Sequence, residues 1–181
     1  VQLAVIGLGQ VFCGGAVDRR AARVLLLEGV ERDAVGRIRI QDDQGRSVVL
    51  AREGEDWVLP EQHDYPAEGD RVDKLLGTLL GLESSYVVSR SGEHRVELEV
   101  ASEKFRRKVE IEAGGMKQVL FVGGTGETGL THVARSDRPE VYAVDGLSPW
   151  ELPAAVRDWT SKSVLGVDKQ DIASIEAQSG G

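Results

Sequence analysis

"GRIRIQDDQGRSVVLARE", Gly36–Glu53, is the stretch whose reading decides the fold. Ile38 and Ile40 alternate with Arg37 and Arg39, the period of two expected of a half-buried strand, because successive side chains leave a strand on opposite faces. "DDQG" (42–45) is a turn, with Asp to hydrogen-bond the local backbone and Gly to accept a positive φ. "RSVVLARE" then returns with the β-branched and aliphatic residues that suit a pleated surface. Strands joined by so short a turn are antiparallel neighbours, since a parallel pair needs a crossover of a dozen or more residues. The pattern is a meander, not an alternation of strand and helix.

Downstream, "EGED" is a second turn and "WVLP" (57–60) a short third strand stopped by Pro60. The loop "EQHDYP" leads into a helix expected from about Ala67 to Leu82. There Val72, Leu75, Leu76, Leu79 and Leu80 fall at i, i+3, i+4, i+7 and i+8, one apolar stripe that packs on the sheet. Gly77 and Gly81 share the spacing of a close-packing face, which hints at tight approach to the sheet. "RRKVEIEAGG", "KQVLFVGG", "GLTHVAR" and "PEVYAVDG" read as four more strands, with tight turns at "AGG" and "SDRP". "SPWELPAAVRDW" is a short irregular helical segment. The expected class is α+β, a mostly antiparallel meander with one main packing helix.

A chain of 181 residues with 41% hydrophobic content can bury one sizeable core. Its net charge of -8 argues against a general nucleic-acid binder, since phosphate contacts need clustered Lys and Arg. The densest basic run, "FRRK" (105–108), is balanced by Glu103, Glu110 and Glu112 and reads as a solvated face. Cys13 stands alone, so no internal disulfide forms.

The apolar run from Val1 to Val17 carries no charge and approaches the roughly 20 residues of a membrane-spanning helix. It reads as a partial N-terminal anchor, followed by a linker at 18–26 and the α+β module at 27–165. Arg19, Arg20 and Arg23 would favour a cytoplasmic side for that end of the anchor. Near the C-terminus "GVDKQDIASI" (166–175) repeats "GVERDAVGRI" (29–38) at one constant offset. Gly29/Gly166, Val30/Val167, Glu31/Asp168, Arg32/Lys169, Val35/Ile172 and Ile38/Ile175 are identical or similar pairs. Such self-similarity marks a unit built more than once, so 166–181 reads as the opening of a second module.

Two glycine patterns invite a dinucleotide reading. Gly7-x-Gly9 is followed by Glu28, but Phe12 stands at the third glycine position. Gly124-x-Gly126-x-x-Gly129 follows an apolar strand, with Asp145 at about the right distance for a ribose hydroxyl. The alternative function is therefore an NAD(P)-binding oxidoreductase using the loop 123–129; the blander reading is a glycine-rich connection between strands. His63 beside Asp64 could be drawn as an acid–base pair, against the plainer reading of a solvated loop. His63, His94, His132 and Cys13 show no metal-ligand spacing, and no Gly-x-Ser-x-Gly elbow is present. Trp57 and Tyr65 could offer a partner a small aromatic surface, or close the edge of the core. No catalytic residue, cofactor or metal site is expected, and the chain reads as a non-enzyme.

The ordered run "GVERDAVGRIRI", "SVVLAREGEDWVLP", "YPAEGDRVDKLLGTLLGL", "EKFRRKVEI" and "VYAVDG…W" resembles a bacterial family known as domain-of-unknown-function family 4340, from about Leu27 to Trp159. The resemblance implies an N-terminal membrane anchor and repeated α+β modules outside the cytoplasm. It also implies an auxiliary role beside the permease and ATPase of ABC transport systems of the gliding-motility type. The expected place is the bacterial inner membrane, with the soluble part facing the periplasm. A self-associating envelope scaffold is the other binding-type reading. The family pattern brings no catalytic residues with it.

Overall fold

The computed structural model describes residues 23–84, 86–126 and 129–162. Its strands are β1 (Val24–Leu25), β2 (Val35–Asp42), β3 (Ser47–Glu53), β4 (Asp56–Leu59), β5 (Tyr65–Pro66), β6 (Glu83–Ser84), β7 (Tyr86–Ser89), β8 (Arg107–Ala113), β9 (Met116–Thr125), β10 (Thr131–Arg135) and β11 (Val141–Val144). The helix α1 spans Gly69–Leu80. Nine strands form one antiparallel sheet in the order β5-β4-β3-β2-β8-β9-β10-β11-β7, and β1 pairs with β6 in a small ribbon. The architecture is the expected α+β, a mostly antiparallel sheet with one packing helix.

The hairpin of Gly36–Glu53 forms in the register its pattern demands. Ile38 faces Leu50 and Ile40 faces Val48; on the other side they face Ile111 and Val109. These six side chains are fully buried on one face of the sheet. The turn is held by Asp42, whose carboxylate accepts from the Gln44 and Arg46 amides at 3.0 and 2.9 Å and from Arg46 Nε at 2.7 Å. Burial would push this carboxyl upward, but those Arg46 and Gln44 hydrogen bonds outweigh it and hold Asp42 below the usual aspartate value.

Helix α1 lays Val72, Leu75, Leu76 and Leu79 on the same face, as the stripe predicts. Leu147, Leu152, Ala154 and Trp159 complete that layer. Trp159 is fully buried, donates Nε1–H to the Pro153 carbonyl at 2.8 Å, and lies under the Arg71 guanidinium at 5.0 Å. Its own carbonyl accepts from the Glu68 amide at 2.8 Å, which fixes the entry to α1. The glycines of α1 do not form the expected close-packing seam. A Cβ at Gly77 would meet only Arg32 Nη1, at 3.8 Å, and Gly81 caps the helix.

The opposite face has two halves. Because β7 takes the far edge, residues 90–106 must cross behind the sheet to reach β8 in its middle. That crossing covers a second apolar cluster, Val100 with Phe121, Ala134 and Val141, in which the Phe105 and Phe121 rings lie 5.8 Å apart. The half that no described segment covers carries charge instead. Arg37 faces Glu112, which faces Lys117, and Arg39 faces Glu110. Glu110 also receives Lys108 and Lys117 at 2.5 Å each; burial alone would raise its pKa, and these two lysines bring it below the usual value.

Several details depart from the sequence reading. The third strand starts at Asp56, and β1, β5, β6 and β7 add short pairings that no pattern announced. "SPWELPAAVRDW" is the expected irregular helical segment, in the form of two single 3-10 turns, Pro149–Glu151 and Val156–Asp158. Residues 23–26 belong to the module and not to a linker: Val24 and Leu25 pair with Ser84 and Glu83, and Leu26 is buried. The first copy of the repeat is a turn at Gly29 (φ +81), a 3-10 turn at Arg32–Ala34 and the start of β2. Its second copy, the anchor at 1–17 and Gly7-x-Gly9 lie outside the described residues. Among the described residues no helix is long and apolar enough to cross a membrane.

Candidate functional site

The residues singled out from the sequence do not converge on one site. Gly124 lies within β9, and Gly126 and Gly129 shape the connection to β10. The Gly126 amide donates to the Leu130 carbonyl at 2.8 Å, Gly129 adopts φ +79, and Thr125 Oγ1 lies 3.1 Å from Thr131 Oγ1 across the pair. A dinucleotide fingerprint needs a helix N-terminus aimed at the pyrophosphate. Here the segment joins two antiparallel strands, so the glycines serve a hairpin. Asp145 accepts from the Gly146 amide at 2.8 Å and lines a separate hollow with Arg23, Glu83 and Tyr86.

Trp57 is 4% exposed, beneath the Arg52 guanidinium at 5.9 Å. Tyr65 is 38% exposed on the edge strand β5. The two therefore share no open aromatic surface: Trp57 closes the core, because position 57 points with Leu59 to the helix-covered face. His63 and Asp64 are consecutive exposed residues in left-handed conformation (φ 57 and 55), a tight solvated turn. His94 pairs with Glu97 at 3.1 Å, and His132 sits in β10 near Gly126. Among the described residues no group of three His, Cys, Asp or Glu side chains is placed to hold a metal ion.

What the fold does assemble is a cleft of about 600 Å³ at one end of the sheet, built from four segments. The β2–β3 turn contributes Asp43, Gln44 and Arg46, and the entry to β8 gives Arg106, just before the strand, and Arg107, its first residue. The end of β9 supplies Gly124 and Thr125; the 3-10 turn supplies Trp150. Trp150 is 83% exposed, in contrast to the two buried tryptophans. The backbone of its turn is nonetheless held. Pro149 is buried, the Ser148 hydroxyl accepts from the Trp150 amide at 3.4 Å, and the Glu151 carboxylate accepts from the Ser148 amide at 2.8 Å. This reciprocal box satisfies amides that a short turn otherwise leaves bare. Arg107 Nε donates to the Leu152 carbonyl at 2.7 Å, tying the turn to β8.

The three arginines differ in their balance. Arg106 Nε contacts Glu99 at 2.7 Å and its Nη1 lies 3.6 Å from Asp43; the Glu99 hydrogen bond and charge raise its pKa further. Arg46 meets Asp42 through Nε. Arg107 bonds two carbonyl oxygens, of Leu152 and Arg106, and no carboxylate among the described residues pairs with it. "FRRK" is thus not one solvated face. Phe105 packs in the rear cluster, Arg106 and Arg107 line the cleft, and Lys108 is paired with Glu110. The sequence signal for this site was the Ser-Pro-Trp-Glu run, a capping-box spacing with Pro in the first turn.

The family described as "Domain of unknown function (DUF4340)" matches residues 57–181. The chain belongs to this family. The DUF4340 match opens at the residue that closes the core on β4 and runs through the Trp150 turn, Trp159 and the second copy of the repeat. The strands β2 and β3 lie upstream of the matched range. Among curated proteins and among solved structures nothing matches.

Proposed function

We propose that this DUF4340 chain is a non-catalytic binding and assembly module, membrane-anchored and envelope-facing, that serves as an accessory subunit of an ABC-type transport complex. The observation that carries the binding role is Trp150, an indole 83% exposed on a turn whose backbone is held by a capping box, at the rim of an arginine-lined cleft. A large apolar side chain left in water has much apolar area to bury on contact, and tryptophan leads the residues that dominate protein interfaces. The transport assignment is supported by the order of family motifs and by the uncharged run at Val1–Val17.

The test is a detergent pull-down of the tagged full-length protein from native membranes, with mass spectrometry of what co-purifies. An ABC permease and its ATPase in stoichiometric yield would support the reading. Recovery of the protein by itself from the soluble fraction would overturn it. Sedimentation showing concentration-dependent self-association without those subunits would replace it with a scaffold.

A further inference from the structure

We infer that the Trp150 cleft receives an acidic segment of the protein partner, with a carboxylate against Arg107 and Arg46 and a neighbouring apolar side chain against the Trp150 indole. This rests on the assembly reading above and adds the chemistry of the contact. Charge complementarity selects the occupant. Arg106 is already balanced by Glu99 and Asp43, whereas Arg107 is bound by backbone carbonyls alone and keeps its full charge for a ligand. Carbonyl contacts also fix the guanidinium plane, so little entropy is lost when a carboxylate docks on its remaining edge. Arg46 engages Asp42 through Nε, so the end-on edge formed by its two terminal nitrogens is a different edge from the one used.

The surroundings sharpen the choice. In a chain of net charge -8, a basic partner is drawn to most of the surface, but at this cleft it would meet Arg107, whose charge no carboxylate among the described residues balances. A cleft of about 600 Å³ admits a few side chains and not a folded domain, which fits an extended segment. Trp150 on the rim adds the apolar half of the recognition, and the exposed Asp43 and Gln44 can accept from amides of a peptide backbone.

The probe is a fluorescein-labelled hexapeptide, Asp-Leu-Glu-Phe-Asp-Leu, titrated by anisotropy against the full chain at low salt. Its twin carries Asn and Gln in place of the acids. Saturable binding is expected, about ten-fold weaker for the twin and weakened by salt. Arg107→Gln and Trp150→Ala should each lower affinity about five-fold or more, while Arg37→Gln on the open charged face leaves it unchanged. Circular dichroism confirms that each variant is folded. Equal binding of the twin, no binding up to about 1 mM peptide, or indifference to both cleft variants would overturn the inference. ATP binding that depends on Arg107 and excludes the peptide would give the cleft to phosphates and overturn it too. Peptide failure with permease and ATPase still co-purifying removes the acidic occupant and leaves the assembly reading. Peptide binding with a lone protein in the pull-down does the reverse.

Discussion

Gly123 lies directly beneath the carbonyl oxygen of Leu98: a Cβ at position 123 would sit 2.2 Å from that oxygen and 3.0 Å from a Val100 methyl. This contact is where the chain crossing behind the sheet presses on β9. Glu99, the next residue in the crossing, takes a left-handed backbone (φ 57) and holds Arg106 at the mouth of the cleft. The glycine thus sets how closely the rear segment approaches the sheet, and with it the position of the Glu99–Arg106 pair.

Gly123→Ala should cost about 1–3 kcal/mol, because the oxygen it meets belongs to backbone that cannot swing aside. Gly124→Ala should cost less than about 1 kcal/mol, since its Cβ would meet only the far end of the Glu99 side chain, at 3.3 Å. Urea denaturation of the two variants makes the comparison. Equal midpoints would mean that the crossing yields easily and that Gly123 is not a packing requirement.

The same glycines show what the sequence could and could not reveal. Period-two alternation at Ile38 and Ile40 and the stripe from Val72 to Leu79 are local patterns, and both elements lie where those patterns put them. The order of strands was not legible, because β7 takes the far edge and the chain returns to β8 in the middle through a crossing that leaves no periodic trace. The glycines at 123–129 resemble a ligand loop in one dimension, and only the approach of Leu98 and the antiparallel β10 assign them to packing and a hairpin. The cleft as an assembly was not legible for a similar reason, although the Ser-Pro-Trp-Glu run marked its capped turn. Arg46, Arg106 and Trp150 are far apart in the chain, and each by itself looks like surface. Trp57 was open in the sequence between core edge and interface, and its burial decides for the core.

Asp42 should make the hairpin sensitive to acid. Its pKa is lowered in the folded state, so its contribution is fully present above the ordinary aspartate range near about 4 and is lost as pH falls through the folded value. Asp42→Asn should therefore destabilise by about 1–3 kcal/mol at neutral pH, a typical cost for losing charged hydrogen bonds at a buried site. The gap between variant and parent should close as pH drops below about 4. Denaturation midpoints measured from pH 7 to pH 3 test this. A gap that is constant across that range would show that the turn depends on shape and not on the carboxylate charge.

Trp159 joins the C-terminal segment to the start of α1 through its ring, its Nε1–H and its carbonyl. Trp159→Ala should cost about 3–5 kcal/mol, the range for a large aromatic removed from a packed core. Trp159→Phe should cost less, keeping much of the volume while leaving the Pro153 carbonyl without its donor. Thermal unfolding of both variants checks the order. An alanine variant as stable as its parent would mean that the segment after Leu152 is not part of the cooperative core.

Trp150 should behave in the opposite way. With 83% of its surface in water, Trp150→Ala should change stability by no more than about 0.5 kcal/mol. Fluorescence gives an independent reading, because the chain has three tryptophans and the other two are buried. Trp150→Phe should remove the red-shifted emission that acrylamide quenches readily and leave a blue-shifted, protected remainder from Trp57 and Trp159. Ser148→Ala should keep that exposed emission but loosen the turn, costing about 0.5–1 kcal/mol for the lost cap. A Trp150 variant that is strongly destabilised, or an emission spectrum without an accessible component, would place the indole against the protein's own surface. The side chain would then be part of the fold, and the cleft would lose the residue that marks it as a binding site.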